Sequence, residues 1–394
     1  MTTDLLDGVD RDRLVADLVA MIAIPSINPF DSPPRPGFRE RELGEFFADR
    51  LAEMGMEVGS HSVVPGRPNV WGSLGGSDGR RLMLCGHLDT VGIEGYPDGL
   101  AARVESDRVY GRGACDMKAG LATFLEAVRV LASSGISLGG QLIVAALADE
   151  EHQMIGSKSY PEHGPMADFG ILAEPTGLTV APAHKGQVGY LVRTFGTAAH
   201  SSRPEEGVNA IRSMARLIEA LGGYAKDLSR RDPHPLCGHG RSSPNVIRGG
   251  TILSTIPDHC ELELDRRTLP GETAGSVRVE FEALLEELQE TDPRFRYDLE
   301  GPILDLQPLD TPIDSAVVQS VLAARRDVTG QSDVIGALTG ATDAPNLGFP
   351  CVIFGPGSTT QAHTAHEFVE VDQMVVATRV LVLTIVDMLG SPEA

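Results

Sequence analysis

Leu142 to Glu151 reads LIVAALADEE, an unbroken apolar run that passes directly into three carboxylates. No uninterrupted apolar stretch in the chain is longer, and it falls far short of the roughly 20 residues a membrane helix needs. Runs of the same kind recur at Leu82 to Cys85, Phe169 to Ala173 and Cys351 to Phe354, with a helix-spaced segment at Leu121 to Ala132 between the first run and Leu142. Strands buried on both faces read as continuous apolar runs. Their alternation with helical periodicity therefore predicts an α/β domain with a mostly parallel sheet.

Toward the N-terminus, Leu14, Val15, Leu18, Val19 and Ile22 fall at helical spacing, and Pro25 stops that helix. A second helix is predicted from Arg39 to Met54, ended by Gly55. Beyond Pro175 the texture changes. Val188 to Phe195, a helix over Val208 to Leu221, the stretch Asn245 to Leu264, a helix over Ala274 to Leu288 and a strand near Phe295 to Leu299 follow one another. That order predicts a small α+β sandwich forming its own domain. Strand and helix alternation resumes after Pro312 and ends in a packed helix over Val375 to Leu389, which carries Arg379 and Asp387. The sandwich, 182–302, is thus expected as an insertion in a domain built from 1–181 and 303–394. No internal repeat, low-complexity tract or heptad pattern is present.

A chain of 394 residues implies two or three domains. With 42% hydrophobic and 22% charged residues it has the composition of a folded globular protein rather than a disordered or fibrous one. The 33 Lys and Arg against 55 Asp and Glu give a net charge of −22, which repels polyanions and argues against nucleic acid or anionic membrane as partners. The opening MTTDLLDGVD lacks the basic and apolar regions of a signal peptide. Cys85, Cys115, Cys237, Cys260 and Cys351 are scattered, with no CxxC pair, so neither a disulfide framework nor a cysteine zinc site is indicated. A cytoplasmic location is expected.

Each apolar run ends in residues able to bind metal. Leu82 to Cys85 leads to His87 and Asp89, Leu142 to Ala148 to Asp149, Glu150 and Glu151, Phe169 to Ala173 to Glu174, and Cys351 to Phe354 through GPGSTTQ to His363. In open α/β sheets ligands bind at the carboxyl ends of strands, so these groups should converge. Asp116, bracketed by glycines in GRGACDMKAG before a helix, can be held at the helix N-terminus and still reach the crevice. Histidine and carboxylate donors without cysteine suit zinc, cobalt or manganese, and one carboxylate too many for a single ion suggests two ions sharing a bridge. Taken singly, His87 or His363 would more often be a hydrogen-bonded surface or core histidine, and Asp149-Glu150-Glu151 a solvated loop. The apolar strand before each group is what points to a shared site.

GHLDTV at Gly86 to Val91, GRGACDMKAG at Gly111 to Gly120, ADEE at Ala148 to Glu151, LAEPT at Leu172 to Thr176, TAAHSSRPEEGVNAI at Thr197 to Ile211, DRRTLPGE at Asp265 to Glu272 and GPGSTTQAHTAHE at Gly355 to Glu367 occur in that order. The chain resembles, over nearly its whole length, the metallohydrolase family of acetylornithine deacetylase, succinyl-diaminopimelate desuccinylase and glutamate carboxypeptidase. The resemblance implies a phosphorylase/hydrolase-like catalytic domain with an inserted ferredoxin-like dimerisation or lid domain, and a homodimer. It makes Asp116 the bridge between two divalent ions, with His87 and Glu174 completing one site and Glu151 and His363 the other. Asp89 would orient His87, and Glu150 would be the general base on a metal-activated water. Adjacent side chains in an extended segment diverge, so Glu150 and Glu151 can hold separate roles.

The same resemblance implies that His200, from the partner subunit, stabilises the oxyanion, that Arg267 grips a substrate carboxylate, and that Asn245 lines the site. Without it, His200 and Arg267 would read as surface residues. Glu367 fits the family spacing from His363, His366 stands at a position usually acidic in relatives, and Ala119 replaces a common glycine. Gly135 to Gly139 spells GxSxG but follows a helix and precedes a strand, the reverse of a nucleophile elbow. Neither a dinucleotide fingerprint nor a phosphate loop occurs. The expected activity is hydrolysis of the amide of an N-acyl amino acid with a free carboxylate, as in acetylornithine deacetylase. A dipeptidase or carboxypeptidase is the alternative, and an inactive binding protein would normally have lost ligands or base.

Overall fold

The strand Gln141–Leu147 pairs in parallel with Arg81–His87, setting Leu82 opposite Leu142 and His87 opposite Leu147. Every residue of either strand after the first is buried, which explains why both read as apolar runs. Alternate residues face opposite sides of a sheet. On one side Leu82, Leu84, Leu142, Val144 and Ala146 join a core that takes in Leu18 and Ile22, Leu121, Phe124 and Val128, and Val380 and Leu381. Those partners belong to helices Arg11–Ala23, Lys118–Ser134 and Val371–Leu389. Met83, Cys85, Ile143 and Ala145 are buried as well, on the other side. Each leucine, valine, isoleucine or methionine among them contributes roughly 1.5–3 kcal/mol when fully buried, so these strands anchor the core of the domain.

The computed structural model describes residues 2–30, 32, 40–76 and 78–390. The chain divides into two units, Met1–Ala183 with Thr311–Ala337 and Thr342–Ala394, and His184–Asp310 with Leu338–Ala341. In the first, the strands lie in the order Glu57–Val64, Arg67–Gly75, Gln141–Leu147, Arg81–His87, Phe169–Leu172, Cys351–Ile353, Val180–His184. The four from Gln141–Leu147 to Cys351–Ile353 are parallel, and antiparallel strands flank them on both sides. This is a mixed α/β fold, parallel through its centre. The strands Glu57–Val64 and Arg67–Gly75 escape a search for apolar runs because Ser60, His61, Ser62, Gly72 and Ser73 interrupt them.

Helix Arg11–Ala23 starts where Asp10 accepts hydrogen bonds from the Asp12 and Arg13 amides, a cap typically worth about 1 kcal/mol. It stops because Ile24 precedes Pro25 and is pushed to extended backbone, φ −91° and ψ 110°. The second helix spans Arg41–Glu53, and its predicted first residue, Arg39, lies outside the described residues.

The second unit has a sheet ordered Arg241–Gly249, His259–Thr268, Gly186–Phe195, Arg296–Leu306, antiparallel throughout. Helices Ala210–Leu228 and Ala274–Thr291 supply Met214, Leu217, Leu221, Val277, Phe281 and Leu285 to a core shared with Cys260, Leu262 and Leu264. Along the chain the order is strand, helix, strand, strand, helix, strand. The last strand passes Gly301 and Pro302 with a shift of register between Glu300 and Leu304, and the unit closes at Asp310, beyond the predicted residue 302. A proline is tolerated where a ladder is already interrupted. Among the described residues no helix is long and apolar enough to cross a membrane, and all five cysteines are buried free thiols.

Candidate metal centre

Three parallel registers bring the strand ends to within two residues of one another, with His87 opposite Leu147, Cys85 opposite Leu172 and Leu172 opposite Ile353. The segments that follow therefore leave the sheet at one edge, where open α/β sheets bind ligands. His87 is the last residue of its strand, Glu150 and Glu151 follow Gln141–Leu147, Glu174 follows Phe169–Leu172, and His363 comes from the loop after Cys351–Ile353. That loop needs a glycine at its start, since a Cβ on Gly355 would meet the Ala173 and Glu174 carbonyl oxygens at 2.4 and 2.6 Å.

Asp116 comes from the turn before helix Lys118–Ser134, and the buried Glu367 holds that turn. Its carboxylate accepts from Arg112 Nη1 at 2.7 Å and from the amides of Gly113, Cys115 and Asp116 at 3.1, 2.8 and 3.0 Å. The sequence shows Glu367 only through its spacing from His363. Its work on the Asp116 turn, more than 200 residues away in the chain, has no local signature.

The predicted metal ligands meet. His87 Nε2 lies 3.2 Å from Asp116 Oδ1, 3.8 Å from Glu174 Oε1 and 3.9 Å from Glu150 Oε2. His363 Nε2 lies 3.0 Å from Glu151 Oε2 and 3.5 Å from Asp116 Oδ2. One ligand atom each from His87, Asp116 and Glu151 lies within 4.8 Å of the others. His87 Nδ1 is 2.9 Å from the main-chain oxygen of Asp89 and 3.6 Å from its Oδ1, so the ring is anchored with Nε2 facing the acids.

Burial holds Glu150 and Glu174 well above the usual carboxylate range and raises Glu151 as well. Burial acts on Asp116 in the same sense, but hydrogen bonds from His363 and His87 outweigh it and lower its pKa. Hydrogen bonds to Asp116 and Glu151 push His363 up to about 10. Burial opposes charge on His87, yet Glu174, Asp116 and Asp89 hold it well above the ordinary histidine value. Four carboxyl groups crowd two imidazoles, so protons are retained on acids and rings that a cation could displace, and all the donors are oxygen or imidazole nitrogen. A divalent cation of the zinc, cobalt or manganese type fits both features.

Beneath these residues lies a buried polar layer that the sequence does not announce. Asp89 accepts from the Glu150 amide at 3.0 Å, the Glu151 amide at 3.1 Å and Asn28 Nδ2 at 2.8 Å. Asn28 Nδ2 also reaches Asp149 Oδ1 at 3.0 Å, and Arg67 Nη1 lies 2.7 Å from the same oxygen. Arg67 in turn grips Glu40 through Nε and Nη2, and burial raises Glu40 to about 7 despite that pairing. Asp149 has φ 71°, a left-handed conformation that costs a non-glycine residue roughly 1–2 kcal/mol.

The other predicted residues, His200, Asn245 and Arg267, lie in the second unit. His200 is exposed on the two-residue strand Ala199–His200, and its Nδ1 accepts from the Ser202 amide at 3.2 Å and lies 2.8 Å from Ser202 Oγ. Asn245 is exposed and accepts from Ser243 Oγ at 2.6 Å. Arg267 Nε donates to Asp265 Oδ2 at 3.0 Å, while Asp265 Oδ1 accepts from Gln187 Nε2 at 2.6 Å. The neighbouring Arg266 is fully buried, continues the inward register of Leu262 and Leu264, and donates to Tyr224 Oη and Glu272 Oε1 at 3.0 and 2.5 Å. Exposed His366 donates its amide to Thr364 Oγ1 at 3.3 Å.

The family model of Peptidase family M20/M25/M40 matches residues 83–387. Acetylornithine deacetylase from Photorhabdus laumondii subsp. laumondii is 31% identical over 385 residues, 93% of this chain and 94% of that protein. The N-formyl-4-amino-5-aminomethyl-2-methylpyrimidine deformylase of Bacillus subtilis is 29% identical over 388 residues, 89% of this chain and 90% of that one. Among solved structures, aminopeptidase PepT from Bacillus cereus has a TM-score of 0.79 at 20% identity and covers 96% of this chain and 98% of its own, a likeness of fold.

Proposed function

We propose a function from one premise: the chain belongs to Peptidase family M20/M25/M40, whose members are hydrolases of amide and peptide bonds. The substrate is an N-acyl amino acid with a free carboxylate, and the reaction is hydrolysis of its amide, as in the acetylornithine deacetylases this chain is similar to. The observation that supports this most is Asp116, one carboxylate facing two histidines that each stand among further acids.

His87, Asp116, Glu151, Glu174 and His363 would hold two divalent cations, zinc before cobalt or manganese, with Asp116 shared. When bound, such ions polarise a scissile carbonyl and lower the pKa of water. Glu150 takes the proton of the attacking water and delivers it to the leaving amine, and burial shifts its proton affinity in the direction a general base needs. Asp89 anchors His87 and the Glu150 amide together.

The Ser202 amide donates to His200 Nδ1, so the neutral ring carries its proton on Nε2 and can donate it to the oxyanion. Asp265 fixes the plane of the Arg267 guanidinium through Nε, and a planar fork suits a substrate carboxylate, while Asn245 would line the same site. On this reading the 184–310 unit is a ferredoxin-like dimerisation domain, the protein is a cytoplasmic homodimer, and His200 serves the partner's site.

Turnover of metal-reconstituted protein on a panel of N-acetyl, N-succinyl and N-formyl amines, with and without a carboxylate, and on dipeptides tests the proposal. Preference for N-acyl amino acids supports it. A dipeptide preference would make the protein a peptidase of the same family, and selectivity for N-formyl amines without a carboxylate would place it beside the Bacillus subtilis relative.

A further inference from the structure

Glu150 and Glu151 are consecutive, yet one faces His87 and the other His363. Their two amides point at the two oxygens of one carboxylate, Asp89 Oδ1 and Oδ2. Successive N–H groups converge on one anion when the backbone alternates in hand, and here the left-handed residue is Asp149. The side-chain directions of the two glutamates thus depend on Asp149 staying left-handed, which its own backbone preference opposes.

Asp149 is held from several directions. Its amide donates to Glu40 Oε1 at 3.2 Å, its Oδ2 accepts from the Gln153 and Ile155 amides at 3.0 and 3.3 Å, and its Oδ1 meets Arg67 Nη1 at 2.7 Å. Arg67 reaches Glu40 through Nε at 2.9 and 3.0 Å and through Nη2 at 2.6 Å. One guanidinium therefore ties the residue that begins a helix, Glu40, to the turn that follows the central strand. Asn28 Nδ2, bridging Asp149 and Asp89, carries the tie to the carboxylate under Glu150 and Glu151. Glu40, Asp89 and Asp149 are almost wholly buried, and Arg67 is 7% exposed. A buried carboxylate left without its cation is costly, so the layer is built to have one arrangement.

We propose that Arg67 is a positioning residue for the two glutamates: by clamping Glu40 and Asp149 it fixes the Asp149 turn and, through Asn28 and Asp89, sets the directions of Glu150 and Glu151. The proposal rests on the reading of those glutamates as base and ligand. Arg67 touches neither of them, and lysine, with one point charge, could not serve Glu40 and Asp149 together in the same plane.

The test uses the full chain with Arg67→Lys and, independently, Asn28→Ala, which breaks the bridge while keeping the Arg67–Glu40 pair. Three quantities are read for each: hydrogen-exchange rates of the 148–152 backbone, cobalt affinity by competition with a chelator, and kcat and KM separately. The expected result for both is at least a tenfold faster exchange in 148–152 with the Leu82 to Cys85 strand unchanged. Cobalt binding should be roughly 10–100-fold weaker, as when partners of metal ligands are removed. In addition, kcat should fall with KM within about twofold, the pattern of lost transition-state interactions. Variants that melt earlier but keep wild-type exchange in 148–152, cobalt affinity and kcat would overturn the proposal, leaving Arg67 a structural residue. Should Arg67→Lys not fold, Glu40→Gln, which weakens the same clamp from its other side, is read with Asn28→Ala on the same measurements, and wild-type values in both would overturn the proposal. Wild-type protein that binds no cobalt, with exchange responding as expected, would sink the metal reading and leave the positioning role standing.

Discussion

Asp116 offers its two carboxylate oxygens to two histidines, Oδ1 to His87 Nε2 at 3.2 Å and Oδ2 to His363 Nε2 at 3.5 Å. Protons and metal ions must compete for this arrangement. The surrounding acids hold both imidazoles toward the protonated form, whereas a metal takes only neutral imidazole. Cation binding at neutral pH should therefore expel protons. Calorimetric titration with zinc or cobalt near pH 7, in buffers of different ionisation enthalpy, should show net release of protons from the two rings and the raised carboxyls. Binding with no proton release would show that the two rings are already neutral and the carboxyl ligands already ionised.

The same contacts set a pH dependence for the metal-free protein. His363 is raised from 6.5 to about 10, so its protonated form stabilises the folded chain. That contribution is fully present below the unfolded value near 6.5 and is lost as pH rises through about 10. Urea unfolding of chelator-treated protein should show wild type losing its advantage over His363→Asn across that window. A stability difference that is flat from pH 6 to 10 would contradict the assignment. The side chain is half exposed, so the effect should shrink in high salt.

Glu150 and Glu151 separate chemistry from ligation. Glu150→Gln removes the base and should lower turnover by roughly 10²–10⁴ while metal content persists. Glu151→Gln should instead weaken binding of one ion, since His363 Nε2 stands 3.0 Å from this carboxylate. If Glu150→Gln empties the site and Glu151→Gln leaves it full, the two roles are exchanged.

How much of this was legible in the sequence depends on the distance over which each feature is encoded. Leu142 to Ala148 announces a buried strand because its residues are apolar on both faces, and the residues after such strands come together as expected: His87, Glu150, Glu151, Glu174 and His363. The layer below them is built from Asn28, Glu40, Arg67 and Asp149, which sit in unrelated local contexts and acquire partners only through the fold. A buried Arg67 looks in sequence like any surface arginine. Arg266 and Arg267 make the same point, since strand parity sends the first into the core with Tyr224 and Glu272 and the second to Asp265. The Arg67–Gly75 strand, whose pairing partners are antiparallel, carries glycine and serine where the central strands carry branched residues, and so left no apolar run to find.

Arg267 tests the substrate reading. If its guanidinium, held by Asp265, pairs with the substrate carboxylate, Arg267→Ala should cost about 2–5 kcal/mol in kcat/KM. Against amide analogues lacking that carboxylate, wild type and variant should then perform alike. A variant that still strongly prefers the free acid would show that another residue reads it.

The last prediction asks whether His200 serves the partner's site. Its Nδ1 is occupied by the Ser202 amide, so the ring presents an Nε2 donor. In a two-fold dimer each site would combine one chain's Glu150 with the other chain's His200. His200→Ala and Glu150→Ala homodimers should both be nearly inactive. When the two inactive chains are co-expressed and assort randomly, about half the dimers are mixed, and each mixed dimer holds one intact site and one doubly defective site. Activity should then return to roughly a quarter of wild type per total site. Were His200 to act within its own chain, both sites of every mixed dimer would lack one essential group and nothing would return. Mixed dimers proven by mass spectrometry yet inactive would therefore rule out sharing of the site between subunits, while the grouping of His87, Asp116, Glu151, Glu174 and His363 around it would stand.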